Sequence, residues 1–431
     1  MKTEENKNML NLMSKYTGRK TTEKKNFMWN MMGSTIFAAA SMLLSLIVIR
    51  VMGEDEGGIF AIAITVAQML AFIEYYETRT FLVTDVKNLY NFGQYKAVKI
   101  ILFIVAVIVA IVYSIIKGQE SVYKFLVIFL MCIYRYIDGF ADLYEGAFQK
   151  DGRLDLTGKS QAYRTIISVG VLLISIIVAR NLVIALVISI VFALMGVFIF
   201  DTLPMKEFRN IAPDWNRQAI LGIIKSCFPL FLGTFLWSYI LSASRIAVDA
   251  NMASNFSAYF QALFMPVSII NLCATFILKP ALTRLSDEYE NIDNDSAFIK
   301  SIVVISVIIV VFTIVCMAGA YLLGIPILET VTGTSLKKYR YILVFLMVSG
   351  GINSLSYFSY YILTIMRKSW WIFSGYITSA IVAKFASDYC VKRNGIAGAA
   401  MGFFIAVAAL LIIFTIGIGK DVIKKLIKKI N

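Results

Sequence analysis

The chain has 431 residues; 59% are hydrophobic, 16% are charged and none is histidine. Soluble domains lie near about 45–50% apolar, so the composition excludes a soluble enzyme and a disordered scaffold. The missing histidine also excludes histidine acid–base catalysis, Ser-His-Asp triads and histidine metal sites. The formal net charge is +14. It must be placed relative to a bilayer before it is read as affinity for nucleic acid.

Residues 1–26 form a polar, basic tail without the apolar core of a cleavable signal peptide, so the first apolar segment, from Phe27, is expected to be retained. Beyond it, about twelve apolar runs of roughly 20 residues each can cross a bilayer as helices. Their centres fall near Ala39, Thr65, Ala106, Leu130, Gly170, Val191, Gly233, Pro266, Val310, Gly351, Ser379 and Ile405. The connection 204–217, with Pro204 and Pro213, divides an N-lobe (27–203) from a C-lobe (218–419), with six spans in each. A basic tail, 420–431, closes the chain. Its apolar and basic residues alternate at helical spacing, which suits either a helix lying on an anionic inner leaflet or a flexible basic tail.

An even number of spans puts both termini on one side. Most of the 41 Lys and Arg then fall on that side, which the positive-inside rule makes cytoplasmic. Loops on the other side are short and often acidic, such as Glu54, Asp55 and Glu56, although Lys337, Lys338 and Arg340 run against the trend. The positive charge is therefore topology, and no nucleic-acid partner is expected. The five cysteines are scattered through apolar runs without a CxxC, which reads as buried thiols rather than disulfides or metal ligands.

A charge at the bilayer centre costs roughly 2.5–3.5 kcal/mol on the mildest scale, so intramembrane charges should face protein or water. The fourth span carries Arg135, Asp138, Asp142 and Glu145, spaced to fall within an arc of about 80° on one helix face. Two readings stay open. The stripe is a polar wall of a transport path, with carboxylates that bind a coupling proton or sodium ion. Alternatively, it is a structural ion-pair network, for instance with Arg164 on the fifth span, with Glu145 solvated at the membrane edge. Glu74, Glu77 and Arg79 late in span two, Lys225, Lys279 and Lys384 are further intramembrane candidates. The cations among them either attract a phosphorylated headgroup or snorkel to the interface. Arg50 and Arg245 occupy matching outer ends, as ligands or as interface anchors, and Asp249 follows Arg245 by one turn. Pro229, Pro266 and Pro280 suggest bent helices in spans seven and eight. No GxxxxGK[ST] loop occurs, so ATP does not power the chain directly.

The stretch Tyr136 to Arg164, YIDGFADLYEGAFQKDGRLDLTGKSQAYR, resembles the span-four-to-five signature of Wzx-type polysaccharide flippases. So do RIAVD from Arg245, AYF from Ala258, FMP from Phe264 and KPALTR from Lys279. Asn30 to Gly33, Arg50, Gly53 and Gly57-Gly58 fit that family's first two spans. The family belongs to the multidrug/oligosaccharidyl-lipid/polysaccharide exporter superfamily. The resemblance implies an all-α polytopic membrane protein, with about twelve helices in two six-helix lobes around a central cavity. It also implies alternating-access transfer of an undecaprenyl-diphosphate-linked oligosaccharide from the inner to the outer leaflet of a bacterial plasma membrane. No cofactor is expected; coupling to a proton gradient, a sodium gradient or the membrane potential stays open. A polysaccharide polymerase is an expected neighbour.

On this reading, Arg135, Arg164, Lys225, Lys279, Arg50 and Arg245 are substrate candidates. Asp138, Asp142, Glu145, Glu77 and Asp249 are ion-coupling candidates. The alternative is a cation-coupled drug or metabolite antiporter of the same superfamily. Those exporters commonly place a cavity acid in their first span, whereas Phe27 to Val51 contains none. A membrane polymerase or acyltransferase would need a polar catalytic loop or a histidine, and the chain has neither.

Overall fold

The computed structural model describes residues 16–18, 21–85, 87–117, 121–290 and 295–430. Side chains at 117, 272–284, 286–287, 290, 295–296 and 421–430 fall outside the description, so Lys279, Cys273 and the spacing of the C-terminal tail do too, as does most of the N-terminal tail.

The described chain is helical. In order, the helices are α1 (Glu23–Met52), α2 (Glu54–Tyr75), α3 (Thr78–Thr84), α4 (Phe92–Lys117), α5 (Val122–Lys150), α6 (Leu154–Ala179) and α7 (Leu182–Val197). A π-helical turn, Phe198–Thr202, carries α7 into α8 (Leu203–Phe208). Then follow α9 (Arg217–Asn251), α10 (Ser254–Glu290), α11 (Asp295–Gly319), α12 (Ile325–Thr332), α13 (Arg340–Ile365) and α14 (Ser369–Ile430). Among the described residues, nine helical segments are long and apolar enough to cross a membrane. The last of these is really two helices joined at Gly395. Helices α5 and α10, with 29 and 37 residues, are also long enough to span, which brings the crossings to about twelve. This is a polytopic, all-α membrane protein.

Large apolar side chains stand exposed along α4, α6, α7 and α11, for example Ile108, Ile116, Ile174, Val178, Leu194 and Val311. In water that would be a liability, but in hydrocarbon it costs nothing and marks the lipid-facing surface. Helix α9 runs on past Pro229. Two sharp breaks occur where no proline stands. Between α2 and α3, Tyr76 (φ 46°) and Glu77 (φ 54°) both take the left-handed conformation that non-glycine residues avoid. At Gly395 (φ 57°, ψ −132°) the backbone leaves the helix and α14 doubles back. Ser379 Oγ donates to Ala406 O at 2.7 Å. A Cβ at Gly402 would lie 2.6 Å from Ser387 Cα, and one at Gly398 would lie 1.9 Å from Cys390 O, so the two arms pack backbone to backbone.

Two compact units emerge. The first comprises residues up to Leu44 and Val66–Phe235; the second comprises Ser45–Thr65 and the chain from Leu236 onward. The end of α1 and the start of α2 thus belong to the second unit, and α9 is shared between the two.

Candidate functional site

In the first unit, α5 is the organising helix. Its C-terminus turns tightly through Asp151, Gly152 (φ 72°) and Arg153 into α6, so the two helices run antiparallel. Asn26 pins that turn, donating to Gly152 O (2.9 Å) and accepting from the backbone N–H of Asp155 (3.0 Å). Thr157 Oγ1 donates to Glu145 O at 2.9 Å and fixes the register. The acidic stripe of α5 therefore meets α6 instead of lipid.

Arg164 of α6 sits at the centre with its side chain 2% exposed. Its Nη2 lies 2.8 Å from Glu145 Oε1, its Nη1 2.8 Å from Asp201 Oδ2, and its Nε 3.5 Å from Asp138 Oδ1. Asp201 stands in the π-helical turn after α7 and also accepts from Ser160. Asp138 bridges onward to Arg135 at 3.2 Å. Glu145 bridges to Arg79 of α3 at 3.0 Å, and Arg79 also holds Asp142 at 2.9 Å and Gln149 at 3.0 Å. The forked guanidinium geometry suits this shared, multidentate pairing. Glu145, 2% exposed, is thus enclosed and not solvated at an edge.

A second buried pair adjoins this network. Lys99 of α4 and Glu74 of α2 are both fully buried, with 3.4 Å between Nζ and Oε2. Neither Lys99 nor Asp201 was among the residues singled out from the sequence. Each is a lone charge at the edge of an apolar run, a pattern that also describes an interface anchor.

The second unit differs. Arg245 of α9 lines a small pocket, with room for roughly one water, together with Thr65, Ser257, Gln261, Phe260 and Val248. Its Nη1 donates to Gln261 Oε1 (3.4 Å), and its Nη2 donates to Leu241 O (3.4 Å) and Ser242 Oγ (3.5 Å). The guanidinium lies 4.7 Å from the Phe264 ring centroid. Its Nε is buried without a hydrogen-bond partner, as is Ser257 Oγ. Among the described residues, no carboxylate forms an ion pair with it.

The remaining candidates do not converge on either place. Arg50, exposed at the end of α1, lies against Gly333. Lys225 is exposed on α9. Glu77 sits in the α2–α3 break and accepts from Thr80 Oγ1 at 2.6 Å. Asp249 is half-buried in the last turn of α9, near the Asn251–Asp388 hydrogen bond. Among the described residues, no cluster of three Cys, Asp or Glu could hold a metal ion.

No protein-family model matches the chain. No curated protein matches it. Solved structures do. An inward-facing multidrug-resistance MATE family transporter of the MOP superfamily aligns over 92% of this chain and 98% of its own, with a TM-score of 0.71 at 11% identity. The fold resembles that of this transporter. The lipid II flippase MurJ, in an inward closed conformation, aligns over 92% of this chain and 89% of its own (TM-score 0.68, 12% identity). A MOP-superfamily transporter from Pyrococcus furiosus, described as having a binding pocket of reverse polarity, covers 93% of this chain and 98% of its own (TM-score 0.58, 12% identity). These neighbours are transporters and a flippase, not enzymes. At such identities the likeness describes the fold alone.

Proposed function

We propose that the protein is a flippase that moves a lipid-diphosphate-linked oligosaccharide from the inner to the outer leaflet of a bacterial plasma membrane, with both termini cytoplasmic and a polysaccharide polymerase acting on its product. The observation that carries this reading is Arg245, a largely enclosed guanidinium without a carboxylate, beside unpartnered Ser257 Oγ and the amide of Gln261. Such a group is costly unless an anion visits it. A guanidinium matches a phosphate oxygen pair in geometry and charge. A cationic drug would meet repulsion there. The absence of any acid between Phe27 and Val51 also weighs against the drug-antiporter alternative, whose fold is nonetheless the same.

The physical need for a protein is clear. Moving about ten sugar hydroxyls through hydrocarbon, at roughly 1–3 kcal/mol each, costs some tens of kcal/mol before the diphosphate is counted.

The test is leaflet location of lipid-linked oligosaccharide in cells depleted of the protein, read with a membrane-impermeant sugar-modifying reagent. Protected oligosaccharide should accumulate on depletion and become accessible on restoration. Unchanged sidedness with no compensating flippase would sink the reading and promote small-molecule efflux.

A further inference from the structure

The carboxylates of the first unit are not equally supported. Glu145 is held by two guanidinium groups, from Arg79 and Arg164, and Asp138 by two, from Arg135 and Arg164. Asp142 is held by Arg79, and Asp201 by Arg164 and Ser160. Glu74 has only Lys99, and Lys99 is already engaged. Its Nζ donates to Glu74 O (2.8 Å), Gly139 O (3.0 Å) and Tyr75 O (3.2 Å), and the carboxylate oxygen Oε2 comes last at 3.4 Å. An ammonium has three N–H groups, and three carbonyls match them. Glu74 Oε1 is buried with no hydrogen-bond partner. Oε2 is pressed against α5, since a Cβ on Gly139 would fall 1.7 Å from it.

The charge count agrees. Arg79, Lys99, Arg135 and Arg164 face Glu74, Asp138, Asp142, Glu145 and Asp201, which leaves one carboxylate without a matching cation. A buried ionised oxygen without a donor carries its desolvation cost uncompensated, and one bound proton removes it. From these contacts we infer that Glu74 is a proton-binding site of the transport cycle, loaded on a carboxyl oxygen, and that Lys99 excludes sodium by filling with its ammonium the carbonyl cage a sodium ion would need.

The groups facing Glu74 are Lys99 from α4 and Tyr136, Asp138 and Asp142 from α5; Cys227 of α9 faces Lys99. Two of the three carbonyls that Lys99 holds, those of Glu74 and Tyr75, are freed where α2 ends, at the left-handed pair Tyr76–Glu77, and the third, of Gly139, belongs to α5. Beyond that break, α3 docks on α5 through Arg79. Loading or unloading Glu74 therefore changes the charge beside Lys99 at the break, which couples the proton to the joint in this helix pair.

The inference rests on the transporter reading, but its test needs no transported substrate. Infrared difference spectra of the purified full-length protein in lipid would be recorded between roughly pH 5 and pH 9, the range in which buried glutamates have been seen to titrate. A protonated-carboxyl band should titrate, ignore added sodium and be lost in Glu74→Gln. Should that variant fail to fold, Glu74→Asp should move the band in frequency and midpoint. A titrating band that persists unchanged in Glu74→Gln or Glu74→Asp, a band that responds to sodium, or no titrating band in folded wild-type protein would each overturn the assignment. If the band behaves as expected while leaflet sidedness is unchanged on depletion, the flippase reading fails and the proton site stands.

Discussion

The two units treat an arginine on a spanning helix in opposite ways. In the first, Arg164 is enclosed by Glu145, Asp201 and Asp138, and its charge is spent inside the protein. In the second, Arg245 touches amide, hydroxyl, carbonyl and ring, and no carboxylate among the described residues forms an ion pair with it. The first arrangement ties α3, α5, α6 and the turn after α7 into one body. The second keeps a cation available. A buried charge is therefore informative less by its presence than by whether its partner is already there.

Breaking the paired arginine should have the largest effect on the protein itself. Arg164→Ala strands several buried carboxylates and should cost about 3–5 kcal/mol, seen as a large fall in thermal unfolding temperature in detergent. Adding Asp201→Asn and Glu145→Gln should recover much of that loss; a triple variant no more stable than the single one would show that the pairs are not what holds the unit. The unpaired arginine should respond inversely. Arg245→Met should leave the unfolding temperature unchanged or raise it, while outer-leaflet oligosaccharide falls at least about tenfold, the loss expected on removing a charged contact worth 1.5–3 kcal/mol. A destabilised, fully active Arg245→Met would erase the contrast. Of intermediate size, Gly139→Ala should force Glu74 and Lys99 apart and cost about 1–3 kcal/mol, measured as loss of thermal stability with little change at Arg245.

The smallest effect belongs to the connection between α8 and α9. Asn91 and Gln94 donate to Asp214 Oδ2 at 2.9 and 3.0 Å, and these bonds, that of Asn91 foremost, hold the carboxyl below its ordinary range. A carboxyl lowered in the folded state stabilises it above its unfolded value and loses that contribution as pH falls through the folded one. Hydrogen exchange at Asn216 and Gln218 should accordingly be unchanged from neutral pH to about pH 5 and rise, relative to the intrinsic rate, only below the ordinary aspartate value of about 4. A rise beginning nearer neutrality would point to a different group.

Much of this was legible in the chain. The apolar runs mark the spans, because about 20 residues of helix must match the bilayer whatever else they do. The three-four-three spacing of Arg135, Asp138, Asp142 and Glu145 fixes a common face, because helical geometry leaves no alternative. What that face meets is a tertiary question. Asp201 reaches Arg164 through a π-helical turn just before Pro204; the proline marks a local disturbance of the helix, but not which side chain the turn will meet. The break at Tyr76–Glu77 contains neither glycine nor proline, the residues by which breaks are ordinarily read. Arg50 and Arg245 occupy equivalent-looking places in sequence. Only packing makes one an exposed neighbour of Gly333 and the other the wall of a pocket.

The reversal at Gly395 bears on how the last two spans enter the membrane. Its arms touch through backbone at Gly398 and Gly402, and no loop of any length separates them. They are therefore best inserted together, as a helical hairpin whose polar groups at the turn cross once, rather than as two independent stop-and-start events. An epitope or reporter spliced into that turn would pry apart the arms it is meant to report on, so sidedness of this end of the chain is better mapped from the tail after Lys420.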